Sequence, residues 1–257
     1  MLALAACDPE TQRATAVAEA ADQPGSRTLE GGVYRRVSTA HGPLHVWTPA
    51  NYTGRGDIVV YVHGYSVTAD QAWTEHRLAA QFAASGLDAM FIACEAPASV
   101  DEPVSWSSLS ELLGTAQRAI GQELPDGRVA VVGHSGAHRT VLPWLPESQL
   151  DTLVLVDAVH GDVERWRTWA TEKRERRLVF VGGDTREWSD QLHATLPEIA
   201  VLEGIPALDA QLPEARFVYI KSDLGHLDLV RGDVLPGILR LVPEQTSRDT
   251  GTPVAGR

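Results

Sequence analysis

The chain has 257 residues, 44% hydrophobic and 22% charged, the make-up of a folded globular protein rather than a disordered one. Its 34 acidic against 22 basic residues give a formal net charge of -12, which repels nucleic-acid phosphates and anionic headgroups and argues against a nucleic-acid partner. No run reaches the roughly 18 apolar residues of a membrane-spanning helix, and the two cysteines, Cys7 and Cys94, exclude a disulfide framework and a multi-cysteine zinc site.

In chain order, Leu4-Ala5-Ala6-Cys7 resembles a bacterial lipobox. The resemblance implies lipidation of Cys7, export to the cell envelope, and membrane contact only through that anchor. A secretory leader needs a charged and longer apolar stretch before its cleavage site, so this reading places the start codon upstream of Met1; with an accidental match the protein is cytoplasmic. Asp8 to Gly32 is rich in Ala, Thr and Glu and holds Pro9, Pro24 and Gly25, the composition of a tether. Three regions follow: signal and tether over 1–32, one domain over 33–242, and a disordered tail over 243–257.

Within the domain, short β-branched runs alternate with longer amphipathic stretches, the pattern of a mostly parallel sheet covered by helices on both faces. Tyr34 to Val37 and Leu44 to Trp47 read as an antiparallel edge hairpin. Ile58-Val59-Val60-Tyr61-Val62 is uninterruptedly apolar, as befits a strand buried on both faces. One helix is expected over about Asp70 to Ala84, a strand over Ala89 to Ala93, and a Pro-containing loop from Glu95 to Ser107. A helix over Leu109 to Glu123 and a strand over Arg128 to Val132 come next. A helix from about Gly136 should stop before Pro143 or Pro146. Buried strands are legible at Leu153 to Val156, Leu178 to Val181 and Phe217 to Ile220, and a last helix ends near Leu241.

Chemistry concentrates at strand ends. Gly133-His134-Ser135-Gly136-Ala137 sets a serine on a sharp turn between a buried strand and a helix, with small residues where the backbone is crowded. As a bare pattern it is equally a strand-to-helix turn with Ser135 as N-cap. It resembles the G-x-S-x-G nucleophile elbow of the α/β-hydrolase family, with Ala137 in place of the last glycine. The resemblance runs from about Val33 to Leu241. It implies an α/β-hydrolase fold of about eight strands, Ser135 as nucleophile, and no cofactor. His63-Gly64-Tyr65 matches the family's oxyanion loop, so the backbone N–H groups of Tyr65 and Gly136 are the expected oxyanion donors and His63 is structural. Gly225-His226, after the last strand, matches the catalytic-histidine loop. For the acid the resemblance favours Asp184, after Gly182-Gly183, over Asp157 at the end of the preceding strand; both lie at carboxyl ends of parallel strands, where such sheets place their sites.

These parts imply hydrolysis of a carboxylic ester through an acyl-enzyme. An amidase or peptidase on the same triad, or a silent binding module on the same fold, are the alternatives. About twenty residues separate Asp157 from Leu178, with one short charged helix over Val163 to Glu175, so a large lid is absent and an open site for small-molecule or polymeric esters is expected. His134 and His138, spaced four apart, with His160 and Asp162 downstream, lack the glutamate of a zinc-protease helix, so no metal is expected. The protein is expected to be a monomer.

Overall fold

A computed structural model describes residues 25–54 and 56–243; Cys7, most of the tether and nearly all of the tail lie outside the described residues. The strands are β1 Ser26–Leu29, β2 Gly32–Thr39, β3 Gly42–Thr48, β4 Asp57–Val62, β5 Ala89–Cys94, β6 Val129–His134, β7 Leu150–Val156, β8 Arg177–Gly182, β9 Ile199–Glu203 and β10 Phe217–Lys221. The helices are α1 Ala69–Glu75, α2 Leu78–Ser85, α3 Leu109–Ile120, α4 His138–Val141, α5 Val163–Glu172, α6 Arg186–His193 and α7 Leu235–Leu239.

All ten strands form one sheet in the order β1-β2-β3-β5-β4-β6-β7-β8-β10-β9. The first three run antiparallel along one edge, and the rest are parallel. Strand alternation divides the core between the two faces. Along β4, Ile58, Val60 and Val62 join a layer with Trp106, Trp144, Trp166 and α3, while Val59 and Tyr61 join the opposite layer with Trp73, Phe82 and Ile238. Burial on both faces is why β4, β5 and β6 are apolar apart from Asp57 and His134 at their ends. Of the tryptophans outside the sheet, Trp73, Trp106, Trp144, Trp166 and Trp169 are buried and Trp188 is exposed.

Four departures from the sequence reading have local causes. The sheet begins at Ser26, inside the segment assigned to the tether, because β1 pairs with β2 and Leu29 O accepts the Trp47 indole N–H at 2.9 Å. The second extra strand, β9, carries the apolar run Ile199-Ala200-Val201-Leu202, yet as the edge strand beyond β10 its residues stay intermediate or exposed. The expected single helix after β4 is split at His76 and Arg77, and Arg77 takes φ +50. The buried Gln81 amide caps the break by donating to His76 O at 2.6 Å, and the turn lets the His76 ring reach Tyr61 Oη at 3.0 Å. After β6, a turn of 3-10 helix over Ser135–Ala137, α4, and a second 3-10 turn over Leu142–Trp144 make up the expected helix, which passes Pro143 because proline is tolerated in a first turn.

Candidate active site

The ends of β6, β7, β8 and β10 meet at one place. At the end of β6, Ser135 is held at φ +53, a left-handed conformation that costs a side-chain-bearing residue about 1–2 kcal/mol. The turn lifts the hydroxyl clear of the sheet, and its closeness leaves no room for side chains nearby. A Cβ on Gly64 would lie 2.7 Å from Ser135 Cβ, and one on Gly136 would lie 2.7 Å from the Tyr65 ring. A Cβ on Gly133 would come within 3.2 Å of Ala137 Cβ, close but not prohibitive, which explains why alanine is accommodated at 137.

Ser135 Oγ lies 2.7 Å from His226 Nε2, and His226 Nδ1 lies 2.5 Å from Asp157 Oδ2. The histidine sits in the loop after β10 with its side chain 27% exposed, whereas Asp157 is fully buried. Asp157 Oδ1 also accepts from Gly183 N at 3.0 Å, Thr185 N at 2.8 Å and Thr185 Oγ1 at 2.7 Å, and Oδ2 accepts from Asp184 N at 3.1 Å. Burial pushes its carboxyl up, but the bonds from His226 and Thr185 and the loop N–H groups outweigh burial and hold it well below the usual carboxylate range. The same pair raises His226: its bond to Asp157 favours the imidazolium, burial opposes, and the charges of Asp157 and Asp184 add to the rise.

The carboxylate hydrogen-bonded to His226 is therefore Asp157 and not Asp184, the acid favoured on sequence. Asp184 is exposed and makes no hydrogen bond to His226, while its backbone N–H helps to hold Asp157. The reason lies in the loop after β8. Gly183 to Thr185 turns its N–H groups back onto the end of β7, so this loop supplies donors to the Asp157 carboxylate.

The loop after β4 backs the serine. Ala96 N donates to His63 Nε2 at 3.0 Å, so His63 Nδ1 carries the proton and donates to Gly64 O at 2.7 Å; His63 is a bracket for the loop. Ser66 N is bound to Ala98 O at 2.8 Å, whereas no loop or turn hydrogen bond engages the N–H of Tyr65 or of Gly136 among the described residues.

Sequence weighed His134 only as one half of a His134 and His138 metal pair, and gave it no part in the triad. It is buried, its Nε2 lies 3.1 Å from the carbonyl oxygen of His226, and the two rings are 4.7 Å apart. Burial, aided by nearby His226, lowers its pKa to about 3, so the ring is neutral and donates to that carbonyl. The signal for it was a polar residue ending an apolar strand. His138 turns elsewhere, with Nδ1 3.1 Å from Ser135 O and its ring 4.8 Å from that of His160. The only three-residue group of metal-ligand type among the described residues is Asp157, Asp184 and His226, whose Asp157 oxygens are already occupied by the donors above.

The sequence matches no protein-family model and no curated protein. Among solved structures it is similar to an S-formylglutathione hydrolase from Agrobacterium tumefaciens at 12% identity and TM-score 0.50, over 84% of this chain and 95% of that one. It is similar to a thermostable carboxylesterase cloned from a metagenomic library at 14% identity and TM-score 0.50, over 91% and 92%. An arylesterase matches at 11% identity and TM-score 0.50, over 91% and 90%. The likeness is one of fold: a mostly parallel sheet with helices on both faces, the α/β-hydrolase fold.

Proposed function

We propose that the protein is a serine hydrolase of carboxylic esters, with Ser135 as nucleophile, His226 as general base and Asp157 as the acid that orients it. The observation that carries this reading is the unbroken path from Ser135 Oγ through His226 to buried Asp157, with bonds of 2.7 and 2.5 Å and the serine on a left-handed turn. The similar fold of a carboxylesterase, an arylesterase and an S-formylglutathione hydrolase supports the ester as substrate class.

As Ser135 Oγ attacks the ester carbonyl, its proton passes to His226 Nε2, and the imidazolium is stabilised by Asp157. The carbonyl oxygen becomes an oxyanion, for which the free N–H groups of Tyr65 and Gly136 are the donors. The proton on Nε2 then goes to the leaving alkoxide, which departs as an alcohol and leaves an acyl group on Ser135. Water, deprotonated by the same nitrogen, attacks this acyl-enzyme and releases the carboxylic acid. Only α5 lies between β7 and β8, and Leu224 and Leu227 beside His226 are 40% and 43% exposed, so an apolar rim borders an open site. Small-molecule or polymeric esters fit an open site of this kind better than ligands needing full enclosure.

A fluorophosphonate probe tests the reading. The folded protein should be labelled on Ser135, the Ser135→Ala variant should not, and turnover should follow on p-nitrophenyl esters. A folded protein that neither labels nor turns over sinks the hydrolase reading and leaves a binding role. Faster hydrolysis of matched anilides than of esters moves it to the amidases. Lipidation of Cys7 and an envelope location belong to the same proposal, and are tested by radiolabelled palmitate incorporation with Cys7→Ser as control.

A further inference from the structure

The triad leaves one nearby carboxylate without a task. An oxygen of Asp184, an oxygen of Asp157 and a ring nitrogen of His226 all lie within 4.8 Å of one another. This closeness follows from the sheet. β7 and β8 are parallel neighbours in register, with Val156 opposite Val181, so residues just past their carboxyl ends emerge side by side. The backbone of Asp184 is fixed there, because its own N–H and those of Gly183 and Thr185 all donate to the Asp157 carboxylate. Arg186, the nearest cation in sequence, is held by Ser222 O at 2.7 Å and Asp223 Oδ1 at 2.8 Å. The groups facing His226 are thus two carboxylates, Asp157 and Asp184, with the imidazoles of His134 and His160.

We propose that Asp184 is a second acid of the triad: a positioning residue that adds its negative charge to the field on the His226 imidazolium and accepts the ring N–H when Asp157 is removed. The proposal rests on the esterase reading for its catalytic consequence. When the ring takes the proton of Ser135, two carboxylates face the positive charge, one buried and hydrogen-bonded, the other exposed and free to swing toward the ring. A unit charge about 5 Å away in largely water-like surroundings moves a titration by about half a unit.

The experiment follows the His226 ring by NMR titration in the full-length protein, for wild type, Asp184→Asn and Glu187→Gln, the last removing an exposed carboxylate of the same segment. Asp184→Asn is expected to lower the midpoint by about half a unit and Glu187→Gln to leave it in place. An unmoved midpoint in Asp184→Asn, or an equal shift in Glu187→Gln, overturns the proposal. This readout needs no turnover, so it stands apart from failure of the esterase reading, which shows instead as absent probe labelling. On p-nitrophenyl acetate, Asp157→Asn should keep activity that Asp157→Asn/Asp184→Asn loses by a further 10-fold or so, about what one charge-assisted bond supplies. Equal rates in these two folded variants overturn the takeover; should either fail to fold, the titration alone decides.

Discussion

Gly64→Ala tests the packing behind the nucleophile. The added methyl would sit 2.7 Å from Ser135 Cβ and 2.9 Å from His134 O, where ordinary contact begins near 3.4 Å, so the two loops must part by about 0.7 Å. Neither neighbour can yield cheaply: one carbon belongs to the strained serine, and the oxygen is backbone. The glycine loop is held from behind as well, since His63 binds Gly64 O at 2.7 Å and is itself bound by Ala96 N at 3.0 Å. Overpacking of this kind costs about 1–3 kcal/mol of stability. On the proposed mechanism the larger effect falls on rate, because the displaced segment carries the Tyr65 N–H, the proposed oxyanion donor, and losing one such donor costs about 100-fold to 1000-fold. We expect kcat on p-nitrophenyl butyrate to fall about 100-fold with KM within about threefold, fluorophosphonate labelling to slow in parallel, and Tm to drop by several degrees. Gly114→Ala in α3, where the only close atom is the mobile end of Arg118 at 3.3 Å, is the control; it should leave kcat alone and add about 0.5–1 kcal/mol. A Gly64→Ala protein with wild-type kcat and Tm would refute the argument from crowding.

Further outcomes are expected elsewhere. His134→Phe removes the donor to His226 O and should lower kcat about 10-fold, with His134→Gln keeping most of the rate; equal rates for Phe and wild type would remove His134 from the site. His226 must be neutral to accept the serine proton and its pKa is raised above 6.5, so kcat/KM should rise with pH through a midpoint above that value; a midpoint below it contradicts the assigned charge environment. Gln81→Leu strips partners from the buried backbone groups His76 O, Val230 O and Leu235 N, and urea unfolding should show a loss of about 2–4 kcal/mol with kcat per folded molecule unchanged.

Apolar runs and turn residues made the central strands and the serine turn legible in the sequence. β4, β5 and β6 are buried on both faces, so their identity is written in nearly unbroken hydrophobicity, and the serine turn, ambiguous as a bare pattern, was legible through the strand before it and its resemblance to the nucleophile elbow. His226 was legible through the resemblance of Gly225-His226, in the loop after the β10 run, to the family's catalytic-histidine loop. The choice between Asp157 and Asp184 was not. Both follow buried strands, and what separates them is which way the intervening loop turns its N–H groups, a property of backbone direction that residue identity does not encode. The break between α1 and α2 was equally hidden. No glycine or proline marks it, and its cap comes from Gln81, whose other partners, Val230 and Leu235, lie some 150 residues away in sequence.

The separations along the chain within the proposed triad have a kinetic consequence. Ser135 and His226 are 91 residues apart, and Asp157 and His226 are 69 apart. His226 reaches them only when β10 has paired with β8, and β10 can dock only after the intervening chain has closed into parallel crossovers, the slow class of long-range contact. Ser135 and Asp157, by contrast, follow the neighbouring strands β6 and β7 and can be set much earlier. During refolding, secondary structure and much of the apolar core should therefore return before catalytic competence. Recovery of probe labelling would then act as a clock for the last step of chain assembly.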